Sequence, residues 1–433
     1  MALLPPDHPE RFVLAEEVHA RPPEPVEPGV RVSYVAILVD PDERARERAH
    51  VSALCERYAV AAPAANATHF STQVGPLRLK WERHGEFSGY MLMAGERAGS
   101  AHFVEPAAAA LPAGWLPSLP GATVVATHAR YVSGDSPADA ETLTAHFGAN
   151  PVVGAMVGGG TAWAYTDFRI HDDGFGRLLL VGRSLGPIQA GRMLQRLFEI
   201  DAYRMLALLA LPIARRQSPR ILAIEKSLAM LTDDIAQGSG DDEALLHELT
   251  RLAAEVESGL AASQFRFGAC SAYSELVGTR VAELREERLP GMQTFQEFLT
   301  RRFTPAVATC ATTSQRLRDL SERVAQASGL LSTRVDIARE RQNQALLASM
   351  DRRAKLQLRL QQTVEGLSVA AIVYYVSGLA AYLAKAAKAG GLRIDPDLAV
   401  GAIVPVLAVV VLLGLRRARH RIARAETGVG TLA

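Results

Sequence analysis

The stretch LSVAAIVYYVSGLAAYLA at residues 367–384 decides the architecture of this 433-residue chain. It carries no charged side chain, and neither does LAVGAIVPVLAVVVLLGL at residues 398–415. A helix of about 20 apolar residues crosses the hydrocarbon core of a bilayer, whereas a helix buried in a soluble protein rarely stays apolar on every face. We therefore predict two transmembrane helices that form a hairpin, with the lipid bilayer as a partner of the chain.

Basic residues flank this hairpin on both outer sides. They precede the first span and follow the second, at Arg352, Arg353, Lys355, Arg359, Arg416, Arg417, Arg419, Arg421 and Arg424. The loop between the spans dilutes its basic residues with Asp395 and Asp397, which could attract cations. Because cytoplasmic flanks carry the excess of Lys and Arg, we expect both termini in the cytoplasm and a short loop outside.

A polar stripe follows one face of the first span. It recurs at helical spacing, at Glu365, Ser368, Tyr375, Gly378 and Tyr382. Such a stripe could line a pore or a polar interface between subunits. It could also serve close packing, because small and hydroxyl-bearing residues let membrane helices approach one another. The absence of charge inside the span favours packing.

Four regions follow from these patterns. Residues 1–186 mix strand-like and helix-like runs, and we predict a cytoplasmic α/β domain with a mixed sheet. Residues 187–366 read as a helical stalk, residues 367–415 as the transmembrane hairpin, and residues 416–433 as a basic cytoplasmic tail.

The stalk pattern predicts one very long final helix. This helix should begin near Thr304-Pro305, since proline suits a first helical turn, and run about 80 residues, or roughly 120 Å, into the first span. Heptad spacing typical of a coiled coil recurs at Leu317, Leu320, Val324, Ala327 and Leu331. Gly329 is the weak point of this helix. Earlier helices are expected at residues 188–213, 220–236 and 242–288.

The clearest local signal in the N-terminal domain is a β-hairpin. Strand-like residues 162–170 and 177–181 flank the dipeptide Asp173-Gly174, a strong turn signal. The glycine run at residues 158–160 predicts a bend and lacks the strand-to-helix context of a phosphate-binding loop. A helix is expected at residues 42–60, and further strands at residues 30–40, 68–83, 89–94 and 123–132.

Two polar groups are candidates for chemistry: His19 with Arg21, and His171 with Asp172 and Asp173. A histidine beside carboxylates could bind a metal or act as an acid or base. The structural interpretation is stronger, because a hairpin turn needs polar residues at this position. The chain has no HExxH or Walker A sequence, and we expect a non-enzymatic protein without a cofactor.

Charge and cysteine content exclude other classes. The net charge is +1, from 47 basic and 46 acidic residues, so we expect no nucleic-acid partner. The three cysteines, Cys55, Cys270 and Cys310, are far apart and odd in number, and they predict free thiols in a reducing compartment. The N-terminus lacks the pattern of a signal peptide, so we expect the soluble part to stay in the cytoplasm.

Three motifs resemble one protein family. They are LAEEVHARP (residues 14–22), AYRMLALLALPIAR (202–215) and LQLRLQQTVEGLSVAAIVYY (356–375). An uncharacterised bacterial family, whose members are named only as membrane-anchored proteins of unknown function, is similar to this chain over nearly its whole length. The resemblance implies residence in the bacterial inner membrane and brings no catalytic residues.

By architecture alone, the chain also resembles the CorA-type magnesium channels, with an α/β domain, a long stalk helix and a two-helix C-terminal hairpin. Those channels carry a Gly-Met-Asn signature at the end of the first span. Here the region reads AYLAKAAKAGGLRIDPD (residues 381–397) and lacks that signature, so the resemblance implies neither the ion selectivity nor the conduction of those channels. Shared architecture does not carry function.

Together the patterns predict an α+β protein with two passes through the inner membrane. Two short spans bury little surface, so we expect a homo-oligomer held through the stalk and membrane helices. The favoured role is a sensor or scaffold with a cytoplasmic domain. The alternatives are a CorA-like cation channel and a membrane-tethered metal-dependent enzyme.

Overall fold

The computed structural model of the protein describes residues 5–19, 22–95, 103, 105–391 and 395–427, which adopt a mixed α+β fold. The strands are β1 Arg31–Leu38, β2 His69–Val74, β3 Leu77–Arg83, β4 Phe87–Ala94, β5 Ala122–Ser133, β6 Val153–Val157, β7 Ala162–Thr166, β8 Gly176–Gly182 and β9 Glu287–Arg288. The helices are α1 Arg11–His19, α2 Arg44–Arg57, α3 Ala140–Phe147, α4 Pro187–Leu208, α5 Leu211–Gln237, α6 Asp242–Leu284, α7 Phe295–Arg302, α8 Thr304–Ala389 and α9 Pro396–Thr427. Contacts divide the chain into two units, Met1–Gly329 and Leu330–Ala433.

One mixed sheet organises the first unit. Its nine described strands have the order β2-β3-β4-β1-β5-β8-β7-β6-β9. Neighbouring strands run antiparallel, except that β5 and β8 are parallel. The central strand β1 is buried along nearly its whole length, which fits its apolar, β-branched sequence because both of its faces are covered.

On one face of the sheet, α2 is tied to the strands by a buried carboxylate. Glu47 is completely buried. It accepts hydrogen bonds from Trp81 Nε1 at 3.0 Å and Tyr90 Oη at 2.7 Å, and Arg44 Nη1 lies 3.3 Å from its second oxygen. A buried charge is tolerated only with such partners, so this network fixes α2 against β3 and β4.

The other face of the sheet carries α4. The Tyr34 ring of β1 stacks on Phe198 with 4.9 Å between ring centroids. At Gly191 the helix touches the segment before β1, because a Cβ atom built there would lie 1.7 Å from the Glu24 carbonyl oxygen. The absence of a side chain at Gly191 therefore lets α4 sit this close.

Long-range ion pairs join the later helices to the rest of the first unit. Arg280 of α6 pairs with Glu199 of α4. Other pairs join Arg266 Nη2 to Glu86 Oε2 at 2.6 Å, and Arg316 Nη2 to Glu225 Oε2 at 2.7 Å. These contacts align α6 with α4 and with the β3–β4 turn, and α8 with α5.

The predicted long helix begins at Thr304 and continues through Gly329 without a break. The heptad positions Leu317, Leu320, Val324 and Ala327 are buried, and Leu331 is the last buried residue of this stripe. From there to Ala389, α8 has no fully buried residue.

Three sequence-based boundaries were wrong. Residues 68–83 form two strands, β2 and β3, because the Gly75-Pro76 turn reverses the chain. Residues 188–213 form parts of two helices, since Pro212 stands in the first turn of α5 and cannot donate the hydrogen bond that would continue α4. Helix α6 ends at Leu284 because Arg285 adopts a left-handed conformation, and residues 287–288 pair with β6 instead.

The predicted hairpin and the glycine bend have clear counterparts. Strands β7 and β8 pair antiparallel around the Asp173-Gly174 turn, although β7 ends at Thr166 and the connecting loop is longer than expected. The glycines at 158–160 form the β6–β7 turn, and all three have positive φ, which glycine adopts without steric cost. Sequence analysis did not predict α3, α7 or β6.

The second unit holds the segments expected in the membrane. By length and composition, one helix of the described chain could cross a bilayer: Phe295–Ala389, when α7 is counted with α8. Its 18-residue apolar window has a mean hydropathy of 1.8 and none of it is buried. The second predicted span falls on α9, whose described apolar stretch, Gly401–Gly414, is shorter.

We expect Gly191→Ala to lower the free energy of unfolding by about 1–3 kcal/mol, because the new methyl group would overlap the Glu24 carbonyl. The matched control is Gly278→Ala in α6, where a Cβ meets nothing within 4 Å. That change should raise stability by roughly 0.5–1 kcal/mol, since alanine favours helix. Thermal or denaturant unfolding of both variants would measure the difference, and a neutral Gly191→Ala would contradict the close packing.

Candidate functional site

The loop between β7 and β8, residues 167–175, holds the clearest polar cluster of the first unit. The side chain of Asp167 is completely buried. His171 Nε2 lies 2.9 Å from Asp167 Oδ2, and Asn150 Nδ2 donates to the same oxygen at 2.7 Å. His171 therefore pairs with Asp167, four residues earlier, and no contact to the adjacent Asp172 is seen.

Asp173 faces a different set of partners. Arg177 Nη2 donates to its Oδ2 at 2.5 Å, and the Phe175 N–H donates to its Oδ1 at 3.0 Å. Burial acts to raise the pKa of Asp173, but these hydrogen bonds outweigh it and hold the pKa below its ordinary value. Asp172 is exposed. The two neighbouring aspartates thus do not form one site.

A buried histidine of β5 lies against this loop. His128 Nδ1 is 2.8 Å from Ser33 Oγ, and its ring stacks on Phe175 with 3.8 Å between centroids. The Ala108 N–H also donates to Ser33 Oγ, at 3.0 Å. Burial, followed by the nearby charge of Arg177, lowers the pKa of His128 to about 4, so the imidazole is neutral at pH 7.

Ser33, His128 and Asp173 form a serine–histidine–aspartate sequence in space, which invites comparison with a hydrolase. Ser33 is completely buried, and its hydroxyl already contacts both the His128 ring and the Ala108 N–H. His128 Nε2 is 3.8 Å from Asp173 Oδ2, beyond hydrogen-bond distance. A nucleophile must reach its substrate, so this geometry supports a structural link between β1, β5 and the loop.

The other predicted N-terminal residues are only partly placed. Helix α1 ends at His19, whose side chain lies outside the described residues, as does Arg21. Within the described part of the chain, no group of three or more His, Cys, Asp or Glu side chains could hold a metal ion.

The polar stripe of the first predicted span splits into two sets. Ser368, Tyr375 and Tyr382 are exposed at heptad spacing, and the two tyrosines are 74% and 76% exposed. Glu365 and Gly378 are half-buried. Ser368 Oγ donates to the Val364 carbonyl at 3.0 Å, so this hydroxyl is satisfied within its own helix.

The two aspartates that the sequence predicts in an outer loop lie at the start of α9. Asp395 Oδ1 accepts a hydrogen bond from the Asp397 N–H at 3.1 Å. A carboxylate at a helix N-terminus satisfies a free backbone donor and interacts favourably with the helix dipole. Asp395 thus has a capping role, and Asp397 is exposed.

Sequence reasoning missed the residues that complete the cluster around His171 and Asp173: Ser33, His128, Asn150, Asp167 and Arg177. They come from five separate segments, and the parallel pairing of β5 with β8 brings His128 beside Arg177. The only signal was an aspartate at the end of β7, four residues before a histidine.

Comparison with known proteins gives one finding. The model of a family described as "Protein of unknown function (DUF3422)" matches residues 6–422. No curated protein and no solved structure matches the chain. The match bears out the resemblance to an uncharacterised family.

The buried His128 predicts a specific pH dependence of stability. Its pKa falls from 6.5 to about 4 on folding, so between these values the unfolded chain binds a proton that the folded chain excludes. Stability should therefore decrease by roughly 3 kcal/mol as the pH falls through this window.

We expect His128→Gln to remove this part of the pH dependence, because glutamine does not titrate. Unfolding of the wild type and of the variant between pH 7 and pH 4 would measure the two slopes. The control is His247→Gln, at an exposed position of α6, which should keep the wild-type slope. Equal slopes for wild type and His128→Gln would contradict the assignment.

Proposed function

This chain belongs to the DUF3422 family, and we propose that it is a non-enzymatic, membrane-anchored protein whose cytoplasmic domain senses or scaffolds a partner. One observation carries the proposal: the apolar window of α8 has a mean hydropathy of 1.8 and no buried residue. Apolar surface of this length needs a non-aqueous environment, and a bilayer supplies one.

The exposed apolar side chains show how much surface needs a non-aqueous environment. Within residues 367–383, the large apolar residues left exposed are Leu367, Ile372, Tyr374, Tyr375, Val376, Leu379, Tyr382 and Leu383. Burial of one large apolar side chain stabilises by about 1.5–3 kcal/mol. Soluble monomers rarely leave an apolar patch of this extent in water, so the window supports insertion into lipid.

The topology we propose has two passes. The sequence of residues 398–415 has no charge, and α9 contains the apolar stretch Gly401–Gly414. Basic residues precede the first span and follow the second, which supports a hairpin with both termini in the cytoplasm. In this arrangement Asp395 and Asp397 lie in the short loop between the two spans, on the outer side of the inner membrane.

The segment of α8 before the span supports self-association. Leu346, Met350, Leu360 and Val364 are between 58% and 67% exposed and keep spacings compatible with one helix face. This segment is too polar to enter the bilayer, since Arg352, Arg353 and Lys355 lie within it. A second copy of the same helix would cover these side chains in a coiled coil, and we propose a homo-oligomer.

A cation channel of CorA-like build is the second candidate. Exposure of Ser368, Tyr375 and Tyr382 at heptad spacing favours it, because hydroxyl groups on one face could line a shared pore. The same residues could equally contact a neighbouring subunit. The third possibility, a tethered metal-dependent enzyme, gains no support from the described side chains.

The anchor is tested by placing a charge in the first span. We expect Val373→Asp to reduce the fraction of protein that resists alkaline carbonate extraction, because an aspartate at a helix centre costs about 2.5–3.5 kcal/mol on insertion. Ala348→Asp, at an exposed position of α8 outside the span, is the control and should leave this fraction unchanged. Wild-type protein that is released by carbonate would refute the anchor.

Self-association is tested by native mass spectrometry of the full-length protein in detergent. We expect a homo-oligomer that Met350→Glu weakens at least tenfold, since a charge would enter the apolar face. Gln344→Glu, also exposed on α8, is the matched control and should assemble normally. A monomeric wild type would exclude both self-association and a shared pore.

The subunit number then separates the two candidate roles. A ring of about five subunits would favour the channel, with ion flux lowered by Ser368→Ala or Tyr375→Phe. A dimer leaves too few spans to enclose a pore and would favour the sensor or scaffold.

A further inference from the structure

Two cysteines that are distant in sequence meet in the first unit. Cys270 lies on the buried stripe of α6 and Cys310 on the buried stripe of α8, and each is 2% exposed. Both positions continue stripes of buried residues that include Phe267 of α6 and Leu317 of α8. The fold therefore places two thiols in the same contact between helices.

The two thiols interact with each other. The nearby Cys270 side chain lowers the pKa of Cys310. The Cys310 side chain, and after it burial, raises the pKa of Cys270. A thiolate at Cys310 would thus be stabilised by the neighbouring Cys270. Thiol–disulfide exchange uses such a difference in pKa between two thiols, because the thiol of lower pKa supplies the attacking thiolate.

A cavity gives access to this pair. It has a volume of about 330 Å³, and Cys270 and Cys310 both line it. Its other lining residues include the exposed Gln264, Gly268, Ser271 and Arg318. The space beside Gly268 is open, since a Cβ atom there would meet nothing within 4 Å. Because both cysteines are nearly buried, a reagent would reach the thiols through this cavity between α6 and α8.

We propose that Cys270 and Cys310 form a reversible dithiol–disulfide site that exchanges with low-molecular-weight disulfides of the glutathione type. The site is independent of the membrane anchor. In reducing compartments disulfides are usually transient, so the reduced pair is the resting state of the proposed site.

The exchange balances in two steps. The Cys310 thiolate attacks one sulfur of the incoming disulfide, its S–S bond breaks, and the leaving thiolate takes up a proton. Cys270 then loses its proton to solvent and attacks the Cys310 sulfur, which expels the second small thiolate. Two protein thiols are oxidised to one disulfide, and one small disulfide is reduced to two thiols.

The product would covalently join α6 to α8. The bond would close a loop of about 40 residues, and closure of such a loop stabilises a protein by restricting its unfolded chain. Oxidation should therefore raise the thermal midpoint of the first unit.

Cys55 provides a control within the same chain. It is completely buried in the core between α2 and the sheet, and burial raises the pKa of its thiol. No described cysteine other than Cys55 lies in that core cluster. It should therefore stay reduced under conditions that oxidise the pair.

The test uses the full-length protein in detergent, incubated with oxidised glutathione, quenched with acid and mapped by mass spectrometry. We expect a loss of two hydrogen atoms, a cross-linked peptide containing Cys270 and Cys310, and an unmodified Cys55. The thermal midpoint should rise, and dithiothreitol should reverse both changes. This measurement on the wild type requires no variant to fold.

Variants define the roles of the two thiols. Cys310→Ser should abolish the reaction, Cys270→Ser should leave a stable glutathione adduct on Cys310, and Cys55→Ser should behave as wild type. The proposal is overturned if the wild-type protein does not react, keeps glutathione on Cys310 without forming the cross-link, or forms disulfides only between subunits.

Discussion

The packing of α4 against the sheet determines where the later helices of the first unit can lie. Gly191 allows the helix to touch the Glu24 carbonyl, and the stacked rings of Tyr34 and Phe198 fix its distance from β1. Helix α6 then packs along α4 with Arg280 paired to Glu199. The N-terminal part of α8 belongs to the same helical bundle. The close contact between Gly191 and the Glu24 carbonyl therefore helps to position several helices of the first unit.

Local signals in the sequence predicted local structure well. The Asp173-Gly174 turn, the start of α8 at Thr304-Pro305 and the heptad spacing from Leu317 each depend on residues close together in the chain, and each has its expected place. The errors came where a short signal was overlooked, as at the Gly75-Pro76 turn. They also came where tertiary contacts decide, as at β9, a two-residue strand defined by its pairing with the edge of β6.

The candidate sites were harder to predict because their members are distant in sequence. Ser33 and His128 meet because β1 and β5 are paired, and Cys270 meets Cys310 because α6 and α8 face each other. A histidine next to aspartates in sequence suggested one cluster, whereas the fold pairs His171 with Asp167 and Asp173 with Arg177. Both of these pairs lie four residues apart, so the backbone conformation of the loop decides them, whereas strand pairing brings Ser33 to His128.

The ion pairs between distant segments have an evolutionary consequence. Each of Arg280–Glu199, Arg266–Glu86 and Arg316–Glu225 joins two elements that are far apart in the sequence. Loss of one partner leaves a partly buried charge without its counter-ion, whereas an exchange of both signs preserves the attraction. In other members of the family, substitutions at these positions should therefore occur in matched pairs. In an alignment of family sequences, the correlated positions would show which helices are in contact.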